Sequence, residues 1–143
     1  MKNGNYSINL MNNAAIISHS PMILNGSKKE NIRIYSSDNT GQGLVILNHN
    51  EKSIFKYVVF DNLSSLNQNG WFLTGAVSIY QSDITIDNCV FKNNHCEDGL
   101  NLIRSKFSFN NAKRSKPASA KMAPDHWDCS SFSILFCRLP LKF

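Results

Sequence analysis

Between Gly75 and Asn111 the chain writes one pattern twice. Gly75-Ala-Val-Ser-Ile-Tyr-Gln-Ser-Asp-Ile-Thr-Ile-Asp-Asn88 is followed by Gly99-Leu-Asn-Leu-Ile-Arg-Ser-Lys-Phe-Ser-Phe-Asn-Asn111. Gly75 aligns with Gly99 at an offset of 24, whereas Ile84, Ile86 and Asn88 align with Phe107, Phe109 and Asn111 at an offset of 23, as if the turn between the strands loses one residue. Each copy reads as a short alternating strand, a polar corner at Ser82 or Ser105, a second alternating strand and a closing Asn. A unit this short cannot bury its apolar face alone, so the repeat predicts a solenoid in which each copy is one coil.

The pattern extends upstream. Ser53-Ile-Phe-Lys-Tyr-Val-Val-Phe60 fits at an offset of 31, placing Phe55 on Ile86, Val58 on Cys89, Phe60 on Phe91 and Asn62 on Asn93. The extra length falls in residues 63–73, which carry the Asn69-Gly70 turn and Trp71; a loop of that size is where a solenoid places a function, and equally where it tolerates an insertion. Earlier strands are expected at Asn31–Tyr35 and Gly43–Leu47. Gly41-x-Gly43 between them reads as a turn and not a phosphate loop, because no helix follows and no Lys-Ser/Thr closes it. Residues 1–30, Asn-rich and broken at Ser20-Pro21, read as an N-terminal cap or a worn first coil.

Stacked strands about 4.8 Å apart set each residue beside its counterpart. Val58 with Cys89, and Phe60 with Phe91, are then inward apolar columns. Asn62 over Asn93, and Asn88 over Asn111, are expected to chain their amides into an asparagine ladder. Outside, Lys56, Asp87 and Asn110, and Asp61 with Lys92, alternate in sign, which suits modest surface pairing and not a calcium site built of stacked carboxylates.

At 42% hydrophobic, the 143 residues suffice for one domain with a core. The net charge of +5 is unevenly spread: nine Lys or Arg face eight Asp or Glu through Asn111, and six face two afterwards. Asn does not occur after Asn111. At an offset of 23, Phe91 maps to Arg114, and a buried unpaired cation is costly, so the core pattern is expected to stop there. Residues 112–143 therefore read as a basic linker followed by the apolar strand Ser131–Phe136, either a cap on the open end or a non-native extension of a fragment. A basic run with no aromatic platform beside it does not support nucleic-acid binding. The sequence shows no signal peptide and no run of the roughly 20 apolar residues that span a membrane. Cys89, Cys96, Cys129 and Cys137 stand in no CxxC spacing; reduced, partly buried thiols are the expected reading, with two bridges as the alternative in an exported chain.

The strings DITIDNCVFKNN and DGLNLIRSKFSFNN, with the Ser corner and closing Asn, resemble the right-handed parallel β-helix proteins of the pectin-lyase-like superfamily, over about residues 31–111. The resemblance implies an all-β fold, a short right-handed parallel β-helix of three to four coils with an irregular C-terminal tail. It also implies an extracellular or cell-surface setting and a polysaccharide or surface glycan as partner. Calcium accompanies many enzymes of the family, although no acidic cluster is seen here.

Two functions follow as expectations: a structural or carbohydrate-associated surface module, or a polysaccharide lyase or epimerase acting on acidic glycans. For the enzyme, Asp98, Arg104 and Lys106 are the catalytic candidates, a carboxylate abstracting a proton beside a uronic carboxylate that the cations neutralise. Trp71, His95 and Glu97 are the binding candidates. The competing reading of His95-Cys-Glu-Asp98 is a polar turn closed by Gly99. A metal set of Cys89, His95 and Cys96 is disfavoured because Cys89 aligns with inward Val58.

Overall fold

The computed structural model describes residues 6–115 and 131–135. Five strands form one parallel sheet in the order β1 (Ser7–Asn9), β4 (Ile32–Tyr35), β6 (Val58–Asp61), β10 (Val90–Lys92) and β13 (Lys113–Ser115). A larger parallel sheet runs through β2 (Ile16–Ser18), β5 (Leu44–Lys56), β9 (Gly75–Asp87), β11 (Asp98–Ile103) and β14 (Ser131–Leu135). In that sheet β3 (Ile23–Asn25) also pairs with β5, and β12 (Phe107–Asn110) with β9. The remaining strands, β7 (Asn67–Gln68) and β8 (Trp71–Phe72), make a separate antiparallel ribbon.

The expectation of one short right-handed β-helix solenoid is corrected by this topology. The described strands are all β and mostly parallel, but they are distributed over two stacked parallel sheets of five and seven strands plus an antiparallel pair. The reason lies in the thirteen-residue strands β5 and β9, each long enough to pair with two separate partners, so that the larger sheet does not divide into regular faces.

Alternation decides what enters the core. From the smaller sheet come Ile34, Val58, Phe60 and Phe91, and from the larger sheet Leu44, Ile46, Phe55, Val77, Ile79, Ile84, Ile86, Leu100 and Leu102, all in one buried cluster. Phe60 pairs with Phe91 in register, with ring centroids 5.0 Å apart and planes within 14°. Phe55 leans against Phe60 at 5.7 Å. A second cluster lies on the other face of β5, where Val45, Leu47 and Leu66 pack with Trp71, Leu73, Ala15 and Tyr80. The ribbon's Asn69-Gly70 turn has positive φ at both residues (53° and 83°), the backbone a two-residue hairpin with the native twist requires.

The repeat register differs from the sequence alignment in one respect. Asp98, not Gly99, lies opposite Gly75, and Leu100 lies opposite Val77, so the offset of 23 holds throughout and no residue is lost in the turn. Between β5 and β9 the offset changes from 33 at His49–Ser82 to 31 at Ser53–Ile84, which places the irregularity at residues 50–52.

The asparagine ladder is also corrected. Asn62, Asn88, Asn93 and Asn111 each have a left-handed backbone, with φ between 50° and 58°. Asn tolerates that region better than most residues. Asn88 Nδ2 donates to Asp87, Asn93 Nδ2 to Asp61, and Asn62 Nδ2 to the Ser36 carbonyl and to Asn39 Oδ1, so the one Asn-to-Asn bond among these is to Asn39 and not within the expected pairs.

The chain pairs beyond Asn111. Lys113 lies beside Val90 and Arg114 beside Phe91, so the backbone ladder continues where the apolar pattern stops. The expected linker and the remainder of the tail, residues 116–130 and 136–143, lie outside the described residues, as do Cys129 and Cys137.

Two glycines separate the cost of backbone sign from that of crowding. Gly43 has φ of 72°, and a Cβ there would sit 2.0 Å from the Ala76 carbonyl oxygen, whereas Gly70, with φ of 83°, has nothing within 4 Å. Gly43→Ala is expected to cost about 3 kcal/mol or more, and Gly70→Ala about 1–2 kcal/mol, in chemical denaturation. Equal costs would show that crowding at Gly43 is relieved by movement.

Candidate functional site

The side chains with catalytic chemistry are placed by the two ends of β11. At its start, His95, Glu97 and Asp98 follow the left-handed corner at Asn93. The His95 amide donates to the Leu63 carbonyl (2.7 Å), and the Asp98 amide to that of Thr74 (3.0 Å), so this turn is stitched to residues 63–74. Asp98 is buried, while His95 and Glu97 are exposed.

At the other end, Arg104 has a left-handed backbone (φ 53°), stacked beside Gln81 (φ 49°). The neighbouring Ser105 hydroxyl accepts from the Ser82 amide at 3.1 Å, and the Lys106 amide donates to the Asp83 carboxylate at 3.0 Å. The expected Ser82 and Ser105 corner is therefore a real junction.

The lyase candidates are thereby only partly assembled. Arg104 and Lys106 share one corner and are both exposed. Asp98 stands six residues from Arg104 along a continuous strand, a separation of about 20 Å at the usual rise per residue. No single uronate could bridge that distance. Trp71, a binding candidate, is half-buried in the packing beneath the ribbon, and Phe72 beside it is 78% exposed.

His95 belongs to a polar strip that the sequence reading did not assemble. Asn62 Nδ2 donates to the Ser36 carbonyl (2.7 Å) and to Asn39 Oδ1, which leaves Asn62 Oδ1 as an acceptor. His95 Nε2 lies 2.6 Å from that oxygen and is therefore the protonated nitrogen. The strip continues through Asp38, whose carboxylate accepts from the Asn12 and Thr40 amides and from the Thr40 and Ser36 hydroxyls. These bonds, the Asn12 amide first, hold the carboxyl well below the usual carboxylate range.

The most organised charge cluster centres on Asp61, on the outer side of the smaller sheet. Its carboxylate is 2.7 Å from Arg33 Nη2 and 3.5 Å from Lys92 Nζ, and it accepts from Asn93 Nδ2 at 2.9 Å. Arg33 in turn lies 4.1 Å over the Tyr35 ring. Burial alone would raise the Asp61 carboxyl, but the hydrogen bonds from Arg33 and Asn93 and the charges of Lys92 and Arg33 outweigh it and lower it. The pairing of Asp61 with Lys92 was legible as a sign-alternating column. Arg33 was not, because it reaches Asp61 from a position in register with Val59.

Cys89 is buried, its thiol directed to the Phe55 carbonyl at 3.4 Å, and burial pushes it up to about 11. Cys96 is also buried, its thiol donating to the Asp98 carbonyl. Among the described residues, no group of three or more His, Cys, Asp or Glu side chains is placed to hold a metal ion. No described helix is long and apolar enough to cross a membrane.

No family model, no curated protein and no solved structure matches this chain. The pectin-lyase-like resemblance therefore rests on sequence motifs alone. Carbohydrate binding and an extracellular location, both expected from it, are withdrawn, since neither the geometry nor any relative supports them.

Because Asp61 titrates lower in the folded chain than in the unfolded one, its stabilisation is full above the unfolded value, about 3.9, and is lost as pH falls through the folded one. Asp61→Asn is expected to lower stability at neutral pH by about 1–2 kcal/mol and to flatten its decline in acid. Denaturant midpoints measured from pH 7 down to acid would check this, and an unchanged acid slope would contradict it. Cys89, held protonated, is expected to resist alkylation at neutral pH until the chain unfolds, so labelling should track denaturant concentration.

Proposed function

We propose that this chain is a structural module: a stacked-sheet scaffold that presents its corners to surroundings and performs no reaction of its own. One observation carries the reading. The carboxylate and the cations that a lyase or epimerase would need are held at opposite ends of β11, with Asp98 buried beside Thr74 and Arg104 and Lys106 exposed beyond Ile103.

The polar groups with the best-defined geometry support the same reading, because their bonds run within the fold. Asp61 is engaged by Arg33, Lys92 and Asn93, and Asp38 by its own loop and Asn12. Groups spent on internal bonds hold strands and corners in place, and a reaction would have to break them first. The reading invokes no cofactor.

The test is turnover. Incubated with polygalacturonate or alginate, the full chain is expected to release no unsaturated uronate, with or without added calcium, as followed by ultraviolet absorbance. Turnover that Arg104→Ala abolishes without shifting the thermal midpoint would overturn the structural reading and restore the enzyme. Turnover insensitive to that substitution would overturn it equally and place the chemistry elsewhere.

A further inference from the structure

The two parallel sheets end together at β1, β2 and β3, and nothing among the described residues pairs with their outer edges. The Ile16 amide donates inward to the Gly43 carbonyl, so in a parallel ladder the Ile17 amide points to the free edge. The Met22 carbonyl accepts from the Ile54 amide inward, and by the same alternation the Ile23 amide points outward. Each of the three strands thus offers unpaired donors and acceptors on one side of the molecule.

That side is also apolar. Among the described residues, five of the seven large exposed hydrophobic side chains belong to it: Tyr6, Ile8, Met11, Ile17 and Ile23, the last 67% exposed. Ile8 continues the inward column of Ile34 and Phe60 yet is 38% exposed, because no further strand covers it. An open edge is ordinarily guarded by charge. Here the guard is missing, since no Asp, Glu, Lys or Arg occurs from Tyr6 to Ser27.

We infer that this N-terminal edge docks a second copy of the same chain, joined edge to edge about a two-fold axis. The distribution of charge selects that occupant. From Tyr6 to Ser27 two copies meeting by these strands bring no like charges together, whereas a charged partner would find nothing there to pair with, the flanking cations being Lys2 before β1 and Lys28 and Lys29 in the turn after β3. The opposite edge carries exposed Arg104, Lys106 and Lys113, so like ends there repel, and the assembly closes as a dimer through the neutral ends. The inference does not depend on whether the chain is catalytic.

Sedimentation velocity of the full chain over a range of concentrations tests it, with hydrogen exchange as a second reading. A dimer is expected, with the Ile17 and Ile23 amides protected. Ile23→Lys places a cation on the neutral edge, and Ile17→Pro removes an edge donor without touching the inward bond of Ile16. Each is expected to raise the dissociation constant about tenfold or more, while the thermal transition persists. A wild-type monomer throughout, fast exchange at Ile17 and Ile23, or an open-ended series of larger species would overturn the proposal. So would a dimer indifferent to both substitutions. If Ile17→Pro fails to fold, Ile23→Lys and the wild-type exchange pattern decide.

Discussion

Parallel strands stay in register only if the chain turns at the same point on every passage, and that turning is the constraint on which the rest of this structure depends. The points are fixed by backbone conformation. Among the described residues, eleven that are not glycine have positive φ, and eight of them are Asn. Tyr57, Asn88 and Asn111 form one such series, spaced like the strands that precede them, and Asn62 with Asn93, and Gln81 with Arg104, form two more. Through these corners the ladder continues without a gap: the Tyr57 amide reaches Asp87, the Asn88 amide reaches Asn110, and the Asn62 amide reaches Lys92. A corner moved by one residue would reverse the facing of the next strand and send its apolar set into water.

Once the corners are set, the core follows. Phe60 meets Phe91 face to face because both stand the same distance before a left-handed Asn, at 62 and 93. Leu44, Val77 and Leu100 align in the same way on the larger sheet. The polar residues follow the same logic. Ser53 and Ser105 are buried where strands bend, and their hydroxyls meet the Met22 amide and the Ser82 amide, groups that a bend would otherwise leave unpaired.

Much of this was legible in the sequence, and the omissions have physical causes. Alternation located β4, β6, β9 and β12, and the repeat paired Phe55 with Ile86 and Phe60 with Phe91. Glycine misled it: Gly75 and Gly99 look equivalent, but the ladder fixes register through strand backbone, and Asp98 takes the place beside Gly75. Asn misled it differently, because side-chain amides suggested a ladder where the left-handed backbone was the requirement. How strands divide between sheets was not legible, since a thirteen-residue run such as β5 alternates in the same way whether it bends or not. The spacing of the candidate site was not legible for a related reason. Asp98, Arg104 and Lys106 are neighbours in sequence, and an extended strand converts that nearness into distance.

The far end of the stack shows how separable backbone pairing is from side-chain pattern. Arg114 falls where the column of Phe60 and Phe91 would continue, yet the Lys113 amide still donates to the Cys89 carbonyl at 2.8 Å, and β13 keeps the register of the strands beneath it. A terminal strand needs only its N–H and C=O groups to extend a ladder, because its inward face has no further strand to complete. The first strands, by contrast, keep apolar side chains at their open edge, with Ile8 and Ile17 exposed there. Charge at one end and apolar surface at the other thus make the two ends of the stack chemically different, and it is the apolar end whose open edge lacks the guard of charge.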